Sequence, residues 1–153
     1  MKVGLSGIIT PSEWSYQETL QKAKDAGYEA FELTFREDRD TSLGSMTDQK
    51  IADMVKLAED MEIELAAAVG SGEPRPDIMT CDDGRRRESI DEIKHILEVV
   101  NSFGIDTWLL VPGRVSEECP YDDAYYNARD ALLDLAEPGI QALLAISLGS
   151  SSS

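Results

Sequence analysis

The sequence is poor in the side chains that most often carry nucleophilic or metal chemistry. Its 153 residues contain one histidine, His95, and two cysteines, Cys81 and Cys119. The cysteines match no metal-ligand spacing, so we expect both to stay reduced. One histidine inside a predicted helix allows no Ser-His-Asp or Cys-His arrangement, which excludes that kind of nucleophilic catalysis.

Long hydrophobic runs and an excess of basic charge are also missing. No apolar stretch approaches the ~20 residues of a membrane span, and the N-terminus lacks a signal peptide, so we expect a cytoplasmic location. The 30 acidic and 14 basic side chains give a net charge of −16. Such a field repels nucleic acid and anionic membranes, and we expect neither as a partner. The negative net charge does not indicate any particular substrate.

The segment from Asp25 to Phe35, D-A-G-Y-E-A-F-E-L-T-F, predicts a helix end followed by a buried strand. Gly27 suits the left-handed residue that ends many helices, because glycine has no Cβ to clash there. The strand predicted over residues 30–35 alternates between two faces, with Phe31, Leu33 and Phe35 on one and Glu32 and Thr34 on the other. In a parallel barrel, the polar pair would face the interior and the aromatic face would pack on helices.

Periodicity and capping signals place the remaining elements. Capping boxes occur at Ser15-x-x-Glu18 and Thr10-x-x-Glu13, and we favour Ser15 as the start of the first helix. Thr47 or Ser45 caps the second helix. Further helices are predicted over residues 85–103 and 121–137, and strands over residues 2–6, 63–69, 107–111 and 142–146, of which 63–69 reads as buried on both sides.

Alternating strands and helices predict a parallel sheet with right-handed crossovers. The loops after strands are long and the loops after helices are short, which favours a site at the carboxyl ends of the strands. We therefore predict that five residues line a substrate pocket there by position: Ser6, Glu32, Phe35, Gly70 and Pro112.

The pattern S-x-x-E-x-L-x-x-A-x-x-A-G-Y-x-A-x-E-L over residues 15–33 resembles the opening of the xylose isomerase-like TIM barrels. The resemblance continues through Cys81-Asp82-Asp83, Arg87, Ser89-Ile90, Ile93-Lys94 and F-G-I-D-T-W-L-L-V-P-G over residues 103–113, and it covers roughly residues 1–135. This family includes sugar isomerases, ketose 3-epimerases and sugar-phosphate isomerase/epimerases.

The resemblance implies a barrel of about eight β/α units, of which this chain holds four and a fraction. Family members bind a divalent metal, here expected to be manganese or magnesium, through carboxylates and a histidine that lie mostly on later strands. The glutamate expected after strand five is replaced by Ser147, so the resemblance implies that this chain does not bind the metal. Because barrel helices lie outside, His95 is expected to be a partly exposed helix residue. Met61 stands where the family usually has glycine at a helix end.

Three candidate site features of the sequence each allow two interpretations. Glu32 either pairs with a basic group or lines a substrate pocket, since a carboxylate on an inward position needs a partner. Gly70-Ser71-Gly72 is a flexible loop or, less favoured, a phosphate loop, although no helix is predicted to follow it. Residues 85–87 (Arg-Arg-Arg) form surface ion pairs or, less favoured, bind a sugar phosphate.

The sequence thus predicts residues 1–146 as a half-barrel domain and residues 147–153 as a low-complexity tail. The resemblance implies the N-terminal part of a metal-dependent sugar or sugar-phosphate isomerase or epimerase, inactive as it stands. Because unpaired sheet edges and an open inner face are unfavourable, we expect a homodimer or larger assembly. The alternative is a non-catalytic α/β module with the flavodoxin-like strand order 2-1-3-4-5, against 1-2-3-4-5 for the half-barrel.

Overall fold

The computed structural model describes residues 2–136 and the backbone of a fifth strand. The elements in chain order are β1 (Gly4–Ser6), α1 (Tyr16–Asp25), β2 (Ala30–Thr34), α2 (Asp48–Asp60), β3 (Glu64–Val69), α3 (Asp83–Ser102), β4 (Thr107–Leu110), α4 (Tyr121–Leu135) and β5 (Leu143–Ile146). Every bound that the sequence predicts lies within two residues of the observed one. Ser147 and the predicted tail lie outside the described residues.

All the described strands are parallel and follow one another in the order β1-β2-β3-β4-β5. This order confirms the predicted half-barrel arrangement and excludes the flavodoxin-like order 2-1-3-4-5. The described strands form an open sheet, with β1 and β5 at its edges. Within residues 2–136 none of the helices is long and apolar enough to cross a membrane.

The core lies between one face of the sheet and the helices. Phe31, Leu33 and Phe35 are buried on this side, as their alternation predicts, together with Trp108 and Leu110 of β4. The opposite, inner face carries Glu32, Ala67, Thr107 and Leu109, which remain only half-buried. The predicted direction of the aromatic face is therefore confirmed.

The prediction that β3 is buried on both sides is wrong. Glu64 and Ala66 are exposed, and only Ala68 and Val69 are fully buried. Glu64 lies beside Ala30 at the start of β2, and the register then slips between Phe31 and Glu32. β3 is therefore fully buried only at its carboxyl end, although Ile63 just before it is buried and Leu65 also packs against the core.

The helices α1, α2 and α3 each begin after a residue whose side chain caps them, whereas α4 begins after Pro120 without a side-chain cap. Ser15 caps α1 with a complete capping box, in which the Ser15 Oγ accepts from the Glu18 N–H and the Glu18 carboxylate accepts from the Ser15 N–H. Thr47, rather than Ser45, caps α2. Asp82 caps α3, whose first residue, Asp83, lies two residues before the predicted start.

The sequence predicts Met61 at the helix-end position where glycine is usual, but in the structure this position belongs to the next residue, Glu62. Gly27 after α1 and Gly104 after α3 are left-handed, with φ of 83° and 73°. After α2, Met61 keeps an ordinary helical φ of −89°, and Glu62 is left-handed with φ of 57°. Glu62, not Met61, therefore stands where the other two helices have glycine.

The two cysteines form a disulfide, so the prediction that they stay reduced is wrong. Cys81, in the loop before α3, bonds to Cys119, just before α4, with Cα atoms 5.3 Å apart. The two residues are 38 positions apart in sequence. Parallel strands bring the loops after β3 and β4 to the same edge of the sheet, and a search for metal-ligand spacing cannot detect that proximity.

Candidate active-site edge

The carboxyl ends of β1 and β2 join Ser6 and Glu32, two of the predicted site residues. They are register partners, and the Ser6 Oγ donates a hydrogen bond to the Glu32 carboxylate. The chain then turns sharply at Gly7, where an added Cβ would lie 2.5 Å from the Thr34 Oγ1. Only glycine fits this close crossing of the two strand ends.

Glu32 is paired with a hydroxyl and not with the basic group that one interpretation of the sequence predicted. None of the ion pairs in the described part of the chain involves it. Its side chain is half-buried on the inner face. Because a single hydroxyl leaves most acceptor positions of a carboxylate free, Glu32 can accept further hydrogen bonds from a ligand.

Gly70 holds the ends of β2, β3 and β4 together. Its φ is 91°, and an added Cβ would lie 2.4 Å from the Phe35 carbonyl oxygen. The Trp108 Nε1 donates to the Gly70 carbonyl oxygen at 3.0 Å, and the Phe35 N–H donates to the Val69 carbonyl oxygen at 2.9 Å. Gly70 is thus a backbone position at the strand ends, fixed by packing.

Phe35 and Pro112 contribute backbone rather than side chains to this edge. The Phe35 ring is buried in the core, with its centroid 6.2 Å from that of Phe103. Pro112 is also buried, and its carbonyl oxygen accepts from the Ile78 N–H at 2.8 Å. The loop after β3 is thereby attached to the end of β4.

The loop after β2 supplies two residues that the sequence analysis missed, Arg39 and Asp40. Arg39 donates to the Gly7 carbonyl oxygen at 3.2 Å and to the Thr10 Oγ1 at 2.8 Å. Asp40 accepts from the Tyr16 N–H at 2.9 Å, at the start of α1. Their partners lie 24 to 32 residues earlier in the chain, so no local motif signals either role.

Asp40 also affects the electrostatics of the buried Tyr16. Burial first, and the Asp40 carboxylate second, raise the pKa of the Tyr16 hydroxyl well above its usual range. The hydroxyl donates to the Met54 carbonyl oxygen at 3.1 Å. Tyr16 is therefore a neutral core residue that joins α1 to α2, not an acid for catalysis.

The residues that the structure describes do not form the metal site that the family resemblance implies. Within residues 2–136 no group of three or more histidine, cysteine, aspartate or glutamate side chains is placed to hold a metal ion. His95 lies exposed on α3, in the helix layer, as expected. We therefore derive no step through a metal from these residues.

The two less favoured anion-binding interpretations find no support in the geometry. The loop Gly70-Ser71-Gly72 is followed by irregular backbone with bends, and the next helix begins only at Asp83. Arg85 pairs with Glu92 at 3.2 Å, and Arg86 pairs with Asp83. Arg85 and Arg86 thus form ion pairs, as the favoured interpretation predicts, whereas Arg87 forms none with the residues that the structure describes.

Consecutive parallel β/α units, with irregular loops collected at the carboxyl ends of the strands, define the TIM-barrel class of α/β proteins. The model of the family described as "Xylose isomerase-like TIM barrel" matches residues 20–144. The chain therefore belongs to the xylose isomerase-like TIM barrel family.

Solved structures agree on the fold. A D-psicose 3-epimerase crystallised in the presence of D-fructose is 16% identical, with a TM-score of 0.76, over 95% of this chain and 52% of its own. A D-psicose 3-epimerase with D-tagatose from Clostridium cellulolyticum H10 is 12% identical, with a TM-score of 0.78, over 95% of this chain and 52% of its own. The IOLI protein with a binding zinc atom is 19% identical, with a TM-score of 0.72, over 95% of this chain and 51% of its own. This chain thus spans about half the length of these structures. No curated protein sequence matches it.

Proposed function

We propose that this chain is the N-terminal part of a sugar or sugar-phosphate isomerase or epimerase. The family match over residues 20–144 is the observation that carries the proposal. The names of the similar structures, several of them ketose 3-epimerases, favour a ketose as the substrate class. The parent enzyme would use a divalent metal, manganese or magnesium, held by residues outside the described part of this chain.

In this proposal the described residues bind and orient the sugar. The inner-face groups Ser6, Glu32 and Thr107 offer hydroxyl and carboxylate oxygens, which suit the hydroxyl groups of a ketose. Gly70 and Pro112 shape the edge of the pocket through their backbones.

The binding role is tested by titrating the labelled chain with D-fructose or D-tagatose and following backbone amide signals by NMR. We expect shifts centred on residues 6–7, 32–34 and 70, and we expect Glu32→Gln to reduce them. The exposed Glu98→Gln on α3 is the matched control, because it removes one carboxylate away from the inner face. Shifts that are equal in both variants would contradict the proposed pocket.

We also propose that the chain alone is catalytically inactive, because the residues described do not form a metal site. The purified protein should show no turnover of ordinary ketoses when manganese or magnesium is added. Metal-dependent turnover that survives purification would contradict this part of the proposal. The NMR titration remains informative in either case, since it detects binding without chemistry.

A homodimer or larger assembly is proposed to cover the inner face. The support is the half-exposed row of Glu32, Ala67, Thr107 and Leu109, which carries little charge of its own. A second copy that faces this side of the sheet could also pair with the free edges of β1 and β5. Light scattering at micromolar concentration should give at least twice the 16.8 kDa chain mass. A clean monomer mass would contradict the assembly.

The cytoplasmic location expected from the sequence remains a proposal. The Cys81–Cys119 disulfide does not favour it, because disulfides are rare in reducing compartments. Fractionation of cells that express the chain, with thiol trapping at lysis, measures the location and the redox state of the cysteines together.

A further inference from the structure

Helix α4 carries an aromatic stripe on its outer face. Tyr121, Tyr125, Arg129 and Leu133 recur every fourth residue, which aligns them along one side of a helix, and Tyr126 lies beside them. The three tyrosines are 61%, 50% and 52% exposed, and Leu133 is 64% exposed. We call these five residues the tyrosine stripe.

The stripe is not needed to attach α4 to the core. The opposite side of the helix packs inward through four buried residues, Ala124, Ala128, Ala131 and Leu135. Large apolar side chains that are exposed in a row, when a helix is already held by its other face, are typical of interaction sites. Tyrosine and arginine are also the residues most enriched among binding hot spots.

The tyrosine rings already contact one another and a cation. The Tyr121 and Tyr125 rings stack with centroids 6.4 Å apart, and the Tyr125 and Tyr126 rings meet edge-to-face at 5.6 Å. The Arg129 guanidinium lies 4.9 Å from the Tyr126 ring centroid. Because an aromatic face attracts cations, the contact with Arg129 shows which kind of group the other rings would accept.

The charges around the stripe favour a basic partner. Asp122, Asp123, Asp130 and Asp134 are all exposed on α4, and Arg129 is the one basic residue of this helix. Arg129 is itself paired with Asp130 at 2.6 Å. A second copy of the chain would bring the same acidic residues against each other, so self-association through this face is unfavourable.

We propose that the tyrosine stripe is a docking surface for a basic segment of another protein. Arginine or lysine side chains of that segment would lie on the Tyr121 and Tyr125 rings and pair with the neighbouring aspartates, while an aliphatic side chain packs on Leu133. The surface lies in the outer helix layer, so the proposal is independent of the proposed sugar site.

The test is an NMR titration of the full labelled chain with a short oligoarginine peptide. We expect amide shifts concentrated on α4, and tighter binding than for an oligolysine of equal length, because guanidinium stacks on aromatic rings better than ammonium. The Tyr121→Ala and Tyr125→Ala variants should each weaken binding roughly two- to fivefold, the loss of one exposed cation–π contact. Alanine is the best helix former, so these variants should fold.

A matched pair of charge variants separates the stripe from the general acidic surface. Asp122→Asn, three residues before Tyr125 on the same side of α4, should weaken peptide binding more than Asp53→Asn on α2, although each removes one exposed aspartate from a helix. Equal losses, shifts spread over all acidic helices, unchanged affinity in both tyrosine variants or no detectable binding would overturn the proposal. A dimer that Tyr125→Ala dissociates would also overturn it, in favour of a second copy as the occupant.

Discussion

Glu62 has a backbone conformation that suits glycine better. Its φ of 57° lies in the left-handed region, in the position that Gly27 and Gly104 occupy after α1 and α3. A side chain with a Cβ pays roughly 1–2 kcal/mol there. The Lys24–Glu62 contact offsets little of this cost, because it is 3.7 Å long and the Glu62 side chain is 89% exposed.

We therefore predict that Glu62→Gly stabilises the protein by about 1 kcal/mol, since glycine relieves the left-handed strain at a smaller entropic cost. Urea unfolding measures the change in the free energy of unfolding. Glu62→Ala is the control, because it removes the weak ion pair but keeps the Cβ, and it should change little. A loss of stability in Glu62→Gly would show that the side chain matters more than the backbone.

Gly7 is the second residue whose lack of a Cβ matters. An added Cβ would lie 2.5 Å from the Thr34 Oγ1 and 3.1 Å from the Glu32 carbonyl oxygen. We expect Gly7→Ala to cost about 1–3 kcal/mol, as overpacking does. Combining it with Thr34→Ala should recover part of that loss, because the nearest clashing atom is gone. Strictly additive effects in this double-mutant cycle would contradict the proposed contact.

At the scale of elements, the capping box of α1 gives a pH prediction. Hydrogen bonds from the Ser15 N–H and hydroxyl lower the pKa of Glu18 below its ordinary value of 4.5. A depressed pKa in the folded state adds stability above the unfolded value, and this stability is lost as the pH falls through the folded value. Glu18→Ala should therefore be less stable than the wild type at neutral pH, and the difference should shrink below about pH 4.5.

Thermal unfolding of both proteins between neutral and acid pH measures this difference. Ser15→Ala serves as the comparison, because it removes the hydroxyl half of the box and keeps the backbone N–H that lowers the Glu18 pKa most, so part of the pH dependence should remain. If the gap between the wild type and Glu18→Ala stays constant down to strongly acid pH, the carboxylate does not stabilise the helix start.

At the scale of the whole molecule, the Cys81–Cys119 disulfide closes a loop of 38 residues that contains α3 and β4. The chain-entropy model assigns about 4 kcal/mol to a loop of this length. The double variant Cys81→Ser with Cys119→Ser should lose stability of this order in urea unfolding. A reducing agent should destabilise the wild type to the same level and leave the variant unchanged. Insensitivity of the wild type to reduction would contradict the cross-link.

The fold could be predicted because its signals are local. The Ser15 capping box, the Gly27 stop and the alternation of Phe31 to Phe35 each involve residues that are near one another in sequence. Parallel order then follows from the regular exchange of strands and helices.

The contacts of the candidate site could not be predicted, because they join distant parts of the chain. Arg39 reaches Gly7, Ile78 donates to Pro112, and Cys81 bonds to Cys119, each across 32 to 38 residues. The alternation over residues 30–35 predicts correctly that Glu32 lies on the inner face. Its hydroxyl partner, Ser6, depends on the exact register of β1 against β2. A pattern of residue types does not fix that register.

The Cys81–Cys119 disulfide also determines how the protein behaves after limited proteolysis. A protease that cuts once between residues 82 and 118 produces two fragments that remain covalently attached through Cys81 and Cys119. Such nicked material migrates as one band on a denaturing gel until a thiol reagent is added, and it then separates into two.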